Sequence, residues 1–343
     1  MALPKKIIRY TCLAVLIIAG ILAWLVFGSG TSFTEPKKSF FLHTGSTMET
    51  TVAALKDEGF IKNESLFKLL AKTFSYQKVT PGKYNFDKGA SMFSILRKLK
   101  SGRQDQVNLV ITKLRTKEDL AQKIGNNFEC GSANFLAILN SNDSLKKFGL
   151  DTNTVMTAVI PNTYSLYWTT SADKIFKRLE GEQQKFWTDE RKQKATGLGL
   201  NPAQVYTLAS IVEEETNKQE DKGKIASVYL NRLEKGMRLA ADPTVKFAMK
   251  NFALTRIYNK YLSFPSPYNT YINAGLPPGP ICTPSAKTID AVLDAPATSY
   301  LFFVAKPEFD GYSNFASTYE EHLRYAKAYQ QALDSLMKAR AAK

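Results

Sequence analysis

The chain predicts an α+β protein carried on a single N-terminal transmembrane helix, and three observations make that case. An uncharged run of nineteen residues, Tyr10 to Gly28, follows the cations Lys5, Lys6 and Arg9, and a run of that length crosses a bilayer as a helix. Beyond it, capped helical stripes are interspersed with a few short strand candidates. No internal period of solenoid length is present. Of the 343 residues 44% are hydrophobic and 22% charged, enough for a globular core and more than one domain, and not the composition of a disordered chain.

The N-terminal run reads as an uncleaved signal anchor. Trp24-Leu25-Val26-Phe27 is unbroken, and Gly28-Ser29-Gly30 is a poor small-x-small cleavage site. The three cations keep the short N-terminal side cytoplasmic and place the rest outside the membrane. Residues 1–30 are therefore the cytoplasmic tip and anchor. The small, polar, Pro-containing segment 31–38 reads as a tether.

A small module follows over 39–105. Phe40-Phe41-Leu42 is a strand candidate, and Ser46-x-x-Glu49 has capping-box spacing for a helix that Gly59 stops. Asn63 caps a second helix, Gly82 to Phe86 alternates as a strand, and Ser91 caps a third helix that ends at Gly102. The larger domain, 106–343, begins with Val107 to Ile111 as a buried-type strand and a helix from Thr116 to Gly125. An amphipathic helix is expected from Ala172 to Lys194 and another from Asp221 to Glu234, with Ile225, Val228, Tyr229 and Leu233 inward. Prolines and glycines make 264–284 a rigid loop, Leu301 to Ala305 forms a strand, and Thr318 to Arg340 a terminal helix.

The most informative stretch is Leu208 to Thr216, where Glu213-Glu214-Glu215 closes an apolar helix. Val205, Leu208, Ala209 and Val212 form one stripe, Glu213 lies on its edge, and Glu215 is turned about 200° further round at 100° per residue. Phase thus selects Glu213 as the carboxylate to be desolvated and raised toward the range of a general acid, with Glu214 adding a negative neighbour.

Lys and Arg number 46 against 31 Asp and Glu, a net charge of +15. That balance suits nucleic acid, anionic lipid or an anionic polymer. Zinc-finger spacing, an arginine-rich arm and an aromatic-glycine signature are all missing from the sequence, so nucleic acid is not the expected partner. Cys12 lies in the apolar run, and Cys130 and Cys282 are isolated. A bridge between the latter two is conceivable in an oxidising compartment, but two free thiols are the simpler reading. With His43 and His322 the only histidines, no metal site and no cofactor are expected.

Ala209-Ser210-Ile211-Val212-Glu213-Glu214-Glu215-Thr216, Ala226 to Leu233, Gly236 to Leu239, Ala241 to Val245, Tyr268-Asn269-Thr270-Tyr271 and Gly275 to Ile281 occur in this order. Together they resemble the MltG/YceG-like family of endolytic murein transglycosylases, in detail from about Glu213 to His322. The resemblance implies a membrane-anchored enzyme that cuts peptidoglycan glycan strands between MurNAc and GlcNAc, with Glu213 as acid/base. It implies a LysM-like subdomain over 39–105, and peptidoglycan synthases as further partners. Two departures matter: many relatives have Gly-Gly-His-x-Phe where this chain has Asp310 to Phe315 with Tyr312, and Glu214 replaces a frequent lysine.

Substrate contacts are expected from amides, hydroxyls, aromatic faces and arginines: Asn231, Arg238, Asp242, Thr244, Tyr268, Asn269, Thr270 and Tyr271. A glycosidase commonly uses two carboxylates. Only Glu220 and Asp242 are available beside Glu213, so a lytic route is expected, in which the C6 hydroxyl attacks and a 1,6-anhydro end forms. A hydrolytic muramidase and a non-catalytic wall-binding scaffold are the alternatives.

Overall fold

The computed structural model describes residues 5–254 and 256–341; the expected cytoplasmic tip therefore lies partly outside the described residues. The chain divides into two compact units, one running to Leu109 and adding 127–130 and 165–171, the other built from the remainder. Helix and sheet are mixed throughout, as the patterning requires.

In the first unit, α1 (Lys5–Phe27) is the helix long and apolar enough to cross a membrane, and its side chains are exposed. Strand β1 (Lys37–Leu42) pairs antiparallel with β2 (Gly82–Asp87), Lys37 opposite Asp87 and Leu42 opposite Gly82. Between them run α2 (Met48–Asp57) and α3 (Glu64–Thr73), and α4 (Met92–Ser101) follows. β3 (Gln106–Val110) and β4 (Thr163–Tyr167) form a second two-stranded sheet. Phe40, Val52, Leu55, Phe60, Phe67 and Tyr84 are fully buried at the centre of this unit. Asn63 and Ser91 cap their helices as expected, and Gly102 closes α4 at φ 64°. The cap of α2 is Thr47, one residue on from Ser46, because Thr47 and Thr50 bond each other's backbone amides reciprocally.

The segment expected as a tether is instead stitched into this unit. Gly30 N donates to Ala90 O at 3.1 Å and Ser32 N to Gly59 O at 2.8 Å. Thr31 accepts from Gly89 N at 2.8 Å, and Lys62 reaches Ser29 O at 3.1 Å. Phe33 is buried against Phe60, ring centroids 5.3 Å apart. Small residues here allow backbone to approach backbone, and supply no slack.

The second unit begins with α5 (Lys117–Gly125), α6 (Gly131–Leu139) and α7 (Asn142–Lys146). The long helix expected from Ala172 to Lys194 is two, α8 (Ala172–Phe186) and α9 (Asp189–Gly197), because Trp187 turns into the core and Thr188 caps the second. Then come α10 (Pro202–Glu215), α11 (Gln219–Glu234), α12 (Asp242–Ala248), α13 (Asn259–Leu262) and α14 (Ala286–Leu293). The hairpin β5 (Phe302–Ala305) and β6 (Ser313–Ala316) precedes α15 (Tyr319–Ala341). Cys130 and Cys282 are not joined in a disulfide.

Helix α10 is the axis of this unit. Asn201 and Gln204 form a capping box around Pro202 at its start, and every residue from Val205 to Val212 is buried. A helix buried all round has no solvent face. Ser210 allows the 275–281 loop to lie directly on it: Ile281 N donates to Ser210 Oγ at 3.0 Å, and Cys282 Sγ lies 3.3 Å from Ser210 O. In the same loop a Cβ on Gly279 would stand 2.1 Å from the Asn153 carbonyl oxygen. Gly279→Ala is expected to lose roughly 2–3 kcal/mol in chemical denaturation. Gly197→Ala, at a helix end with nothing within 4 Å of the added carbon, is expected to be neutral or slightly stabilising.

Candidate active site

The three consecutive glutamates at the end of α10 point into three different environments, each partly buried, because protein packs against every flank of the helix before them. Glu213 accepts from Lys222 Nζ at 2.9 Å and from Ser285 Oγ at 3.3 Å, and Thr288 Oγ1 also donates to it. Lys222 is itself buried and donates to Thr288 Oγ1 at 2.6 Å. Glu213 also borders a groove of about 320 Å³ lined by Thr112, Lys113, Pro161, Asn162, Thr283 and Ser285.

Glu214 is held by two cations from the extended segment after β3. Lys113 Nζ lies 3.0 Å and Arg115 Nη2 2.9 Å from its oxygens, and reciprocal bonds between Leu114 and Thr283 fix that segment. Burial alone would raise the Glu214 carboxyl, but the two cations outweigh it and hold it below the ordinary value.

Glu215 is different in kind. Tyr229 OH, from α11, donates to it at 2.6 Å, and among the described residues it makes no ion pair within 4 Å. Desolvation pushes its carboxyl up to about 7 and Asp242 adds to the rise, while the Tyr229 bond, Lys246 and Arg232 oppose it. Asp242, exposed at the start of α12, accepts from Tyr271 OH at 2.6 Å. Burial and that bond raise the Tyr271 phenol, and burial raises that of Tyr229. Arg232 is fixed by Leu301 O at 2.7 Å and Leu239 O at 2.6 Å, its pKa lowered by burial. A glutamate, two tyrosines and an aspartate thus converge, and Ala240 at φ 48° turns the chain into Asp242.

The expected substrate contacts divide sharply. Asp242, Tyr271 and the partly buried Tyr268 belong to this cluster or its border; Tyr268 packs on Phe247 at 4.8 Å, and burial raises its phenol to about 12. Arg238 is exposed. Asn231, Thr244, Asn269 and Thr270 are engaged internally. Asn231 Nδ2 donates to Thr298 O and Tyr300 O, and Asn269 Nδ2 to Leu262 O and Phe264 O, each at 2.9 Å. Thr244 and Thr270 are buried and bond each other at 2.9 Å. Thr244, Asn269 and Thr270 shape the loop that presents Tyr271, Asn231 holds the chain ahead of β5, and these bonds are to protein groups. Tyr312 faces Lys218, 4.3 Å from its ring, and Glu220 is exposed at the start of α11.

Sequence reasoning missed Lys222, Arg115 and Tyr229 as partners of the triplet. Tyr229 was legible as a core residue of α11, but its hydroxyl is what reaches Glu215. Among the described residues no group of three His, Cys, Asp or Glu is placed to hold a metal.

Fold and site together define a mixed α+β protein with a carboxyl of raised pKa at the end of a buried helix. A model of the YceG-like family matches residues 40–328, and the chain belongs to that family. It is 31% identical over 302 residues to an endolytic murein transglycosylase of Bacillus subtilis (strain 168), covering 83% of each chain. It is 26% identical over 311 residues to an endolytic murein transglycosylase of Streptococcus pneumoniae serotype 2 (strain D39 / NCTC 7466), covering 82% of this chain and 56% of that one. A 2.6 Å crystal structure of a yceG-like protein from Listeria monocytogenes matches at a TM-score of 0.57 and 27% identity, over 85% of this chain and 99% of that one.

The raised carboxyl has a measurable consequence for stability. Between its unfolded value of 4.5 and about 7, folded Glu215 keeps a proton that the unfolded chain has released. Its favourable contribution is complete below the lower value and is lost as pH rises through the upper one. Glu215→Gln is expected to be the more stable protein at pH 8, by on the order of 2 kcal/mol, with the difference vanishing near pH 4. Paired urea titrations at the two pH values measure it.

Proposed function

We propose that this chain is an endolytic murein transglycosylase, cutting MurNAc-GlcNAc bonds within peptidoglycan strands and leaving 1,6-anhydroMurNAc ends, with Glu215 as its acid and base. The supporting observation is the Glu215 carboxyl at about 7, hydrogen-bonded by Tyr229 and without a paired cation among the described residues. Such a group is divided between its protonated and ionised forms near neutral pH, the range in which one carboxyl can serve as acid and then base. The protonated form donates its proton to the glycosidic oxygen as the bond to the anomeric carbon breaks. The resulting carboxylate takes a proton from the C6 hydroxyl, whose oxygen closes on the anomeric carbon, so no water is consumed. The neighbouring Asp242 carboxylate favours the protonated form of Glu215 and attracts the developing oxocarbenium charge.

This moves the acid from Glu213, where helical phase put it, to Glu215. Lys222, Ser285 and Thr288 all engage the same Glu213 oxygen, Oε2, which suits a brace better than a proton donor. One observation favours Glu213 instead: it borders the open groove beside Pro161 and Asn162. Purified strands digested by each Gln variant separate the two. Glu215→Gln is expected to lose at least about a hundredfold in rate while Glu213→Gln keeps measurable cleavage; the reverse ranking returns the role to Glu213.

Product chemistry decides between lytic and hydrolytic cleavage, since a muramidase would use Asp242 as its second carboxylate. In heavy-oxygen water, new ends are expected to be unlabelled and to carry the mass of an anhydro sugar. One label per new reducing end would establish the muramidase reading. Asp242→Asn is expected to shift the alkaline limb of the pH–rate profile to lower pH, because loss of the neighbouring charge lowers the Glu215 pKa.

We place the chain as a single-pass protein of the cytoplasmic membrane with its C-terminus outside, on the strength of α1 and the cations Lys5, Lys6 and Arg9 at its N-terminal end. A reporter that works only in the cytoplasm, fused after Lys343, is expected to be silent. The first unit would serve as a LysM-like glycan grip, and synthases that make the strands would be partners.

A further inference from the structure

The first unit carries an apolar and basic face where α1 leaves it. Phe27, the last residue of α1, is 63% exposed, and its ring lies 5.2 Å from that of Phe93 on α4. Phe93 in turn lies 5.2 Å from Phe74, which follows α3 and is 39% exposed. Leu69, one turn earlier on α3, is 60% exposed. This apolar line is continuous with the end of the candidate membrane helix.

Charge around it is one-sided. Helices α3 and α4 carry Lys68, Lys72, Arg97, Lys98 and Lys100 against a single acid, Glu64, which is paired with Lys68. Lys98 is committed to Asp105 at 2.7 Å, whereas Lys72, Arg97 and Lys100 are exposed. Lys100 Nζ donates to Phe74 O, so one of these cations is held at the aromatic line. Rings at the end of a membrane span, flanked by cations, match the boundary between acyl chains and anionic headgroups. The stitched segment 29–33 gives this face no slack to turn away from the exit point of α1.

We propose that the face formed by Phe74, Phe93, Leu69 and the neighbouring Lys72 and Arg97 seats the first unit on the anionic surface of the bilayer that α1 enters, an inference that rests on the reading of α1 as a membrane span. Leu69 and Phe74 sit at headgroup depth, and Lys72 and Arg97 meet lipid phosphates.

The test uses the full chain in lipid nanodiscs, with Cys12 and Cys130 replaced by serine and a nitroxide placed by Leu16→Cys, Leu69→Cys or Ser46→Cys. Ser46 follows the far end of β1, about 16 Å along the strand from the end near Ala90 at ~3.3 Å per residue. Collision with a water-soluble nickel chelate is expected to be lowest at position 16, several-fold lower at 69 than at 46, and highest at 46. Lys72→Glu with Arg97→Glu is expected to raise the value at 69 in discs containing phosphatidylglycerol and to leave it nearly unchanged in phosphatidylcholine alone. Equal collision at 69 and 46 with position 16 still shielded overturns the seating while leaving the span intact. Free collision at 16 overturns both. No effect of the charge reversals in anionic discs overturns the role given to lipid phosphates.

Discussion

Everything distinctive about the second unit follows from burying α10 on all sides and ending it in three carboxylates. A helix in that position leaves each of them only partly exposed, so each carboxylate gains from a partner or a proton. The surrounding elements answer differently: Lys222 from α11 for Glu213, Lys113 and Arg115 from the extended segment for Glu214, a neutral phenol for Glu215. Two charges are compensated and the third is withheld. Consecutive identical residues thereby acquire a lysine partner, a double ion pair and a phenol partner, and the difference lies wholly in what packs against them.

The site depends on scaffolding that touches no reacting atom. Asn269 ties the 262–273 loop to itself, Thr270 and Thr244 join that loop to α12, and Asn231 with Arg232 secures the chain ahead of the β5–β6 hairpin. Polar side chains of this kind look in sequence like a sugar-binding set, because amides and hydroxyls serve both purposes. Their low exposure and backbone partners separate the two. What remains near Glu215 is compact: Tyr229, Tyr271 and Asp242, linked through two hydrogen bonds of 2.6 Å.

The helix stripes, the caps at Asn63, Thr116 and Ser91, and the anchor-length run were readable because each depends on local chemistry alone. The ordered motifs also sufficed to recognise the YceG-like family, to which the match over 40–328 assigns the chain. Helical phase separated Glu213 from Glu215 on a premise that α10 does not meet. The argument assumes one apolar stripe and one wet face, whereas Val205 to Val212 are buried throughout, so the side opposite the stripe is also protein. Ion partners were invisible for the same reason: Arg115 lies 99 residues from Glu214 in sequence. The break at Trp187 and Thr188 went unseen because a buried indole and a capping hydroxyl also fit a continuous amphipathic pattern.

The zipped segment between Ser29 and Lys37 gives the first unit a mechanical property. Twenty-three residues of α1 make a rod about 34 Å long at 1.5 Å per residue, and backbone bonds to Gly59 and Ala90 weld its outer end to the unit's hydrophobic core. A flexible leash would absorb any reorientation of that rod. A weld transmits it, so under the proposed reading of α1 as a membrane span, a thinner or thicker bilayer that changes the inclination of the rod inclines the β1–β2 sheet by the same angle, and lipid thickness becomes a mechanical input to the first unit.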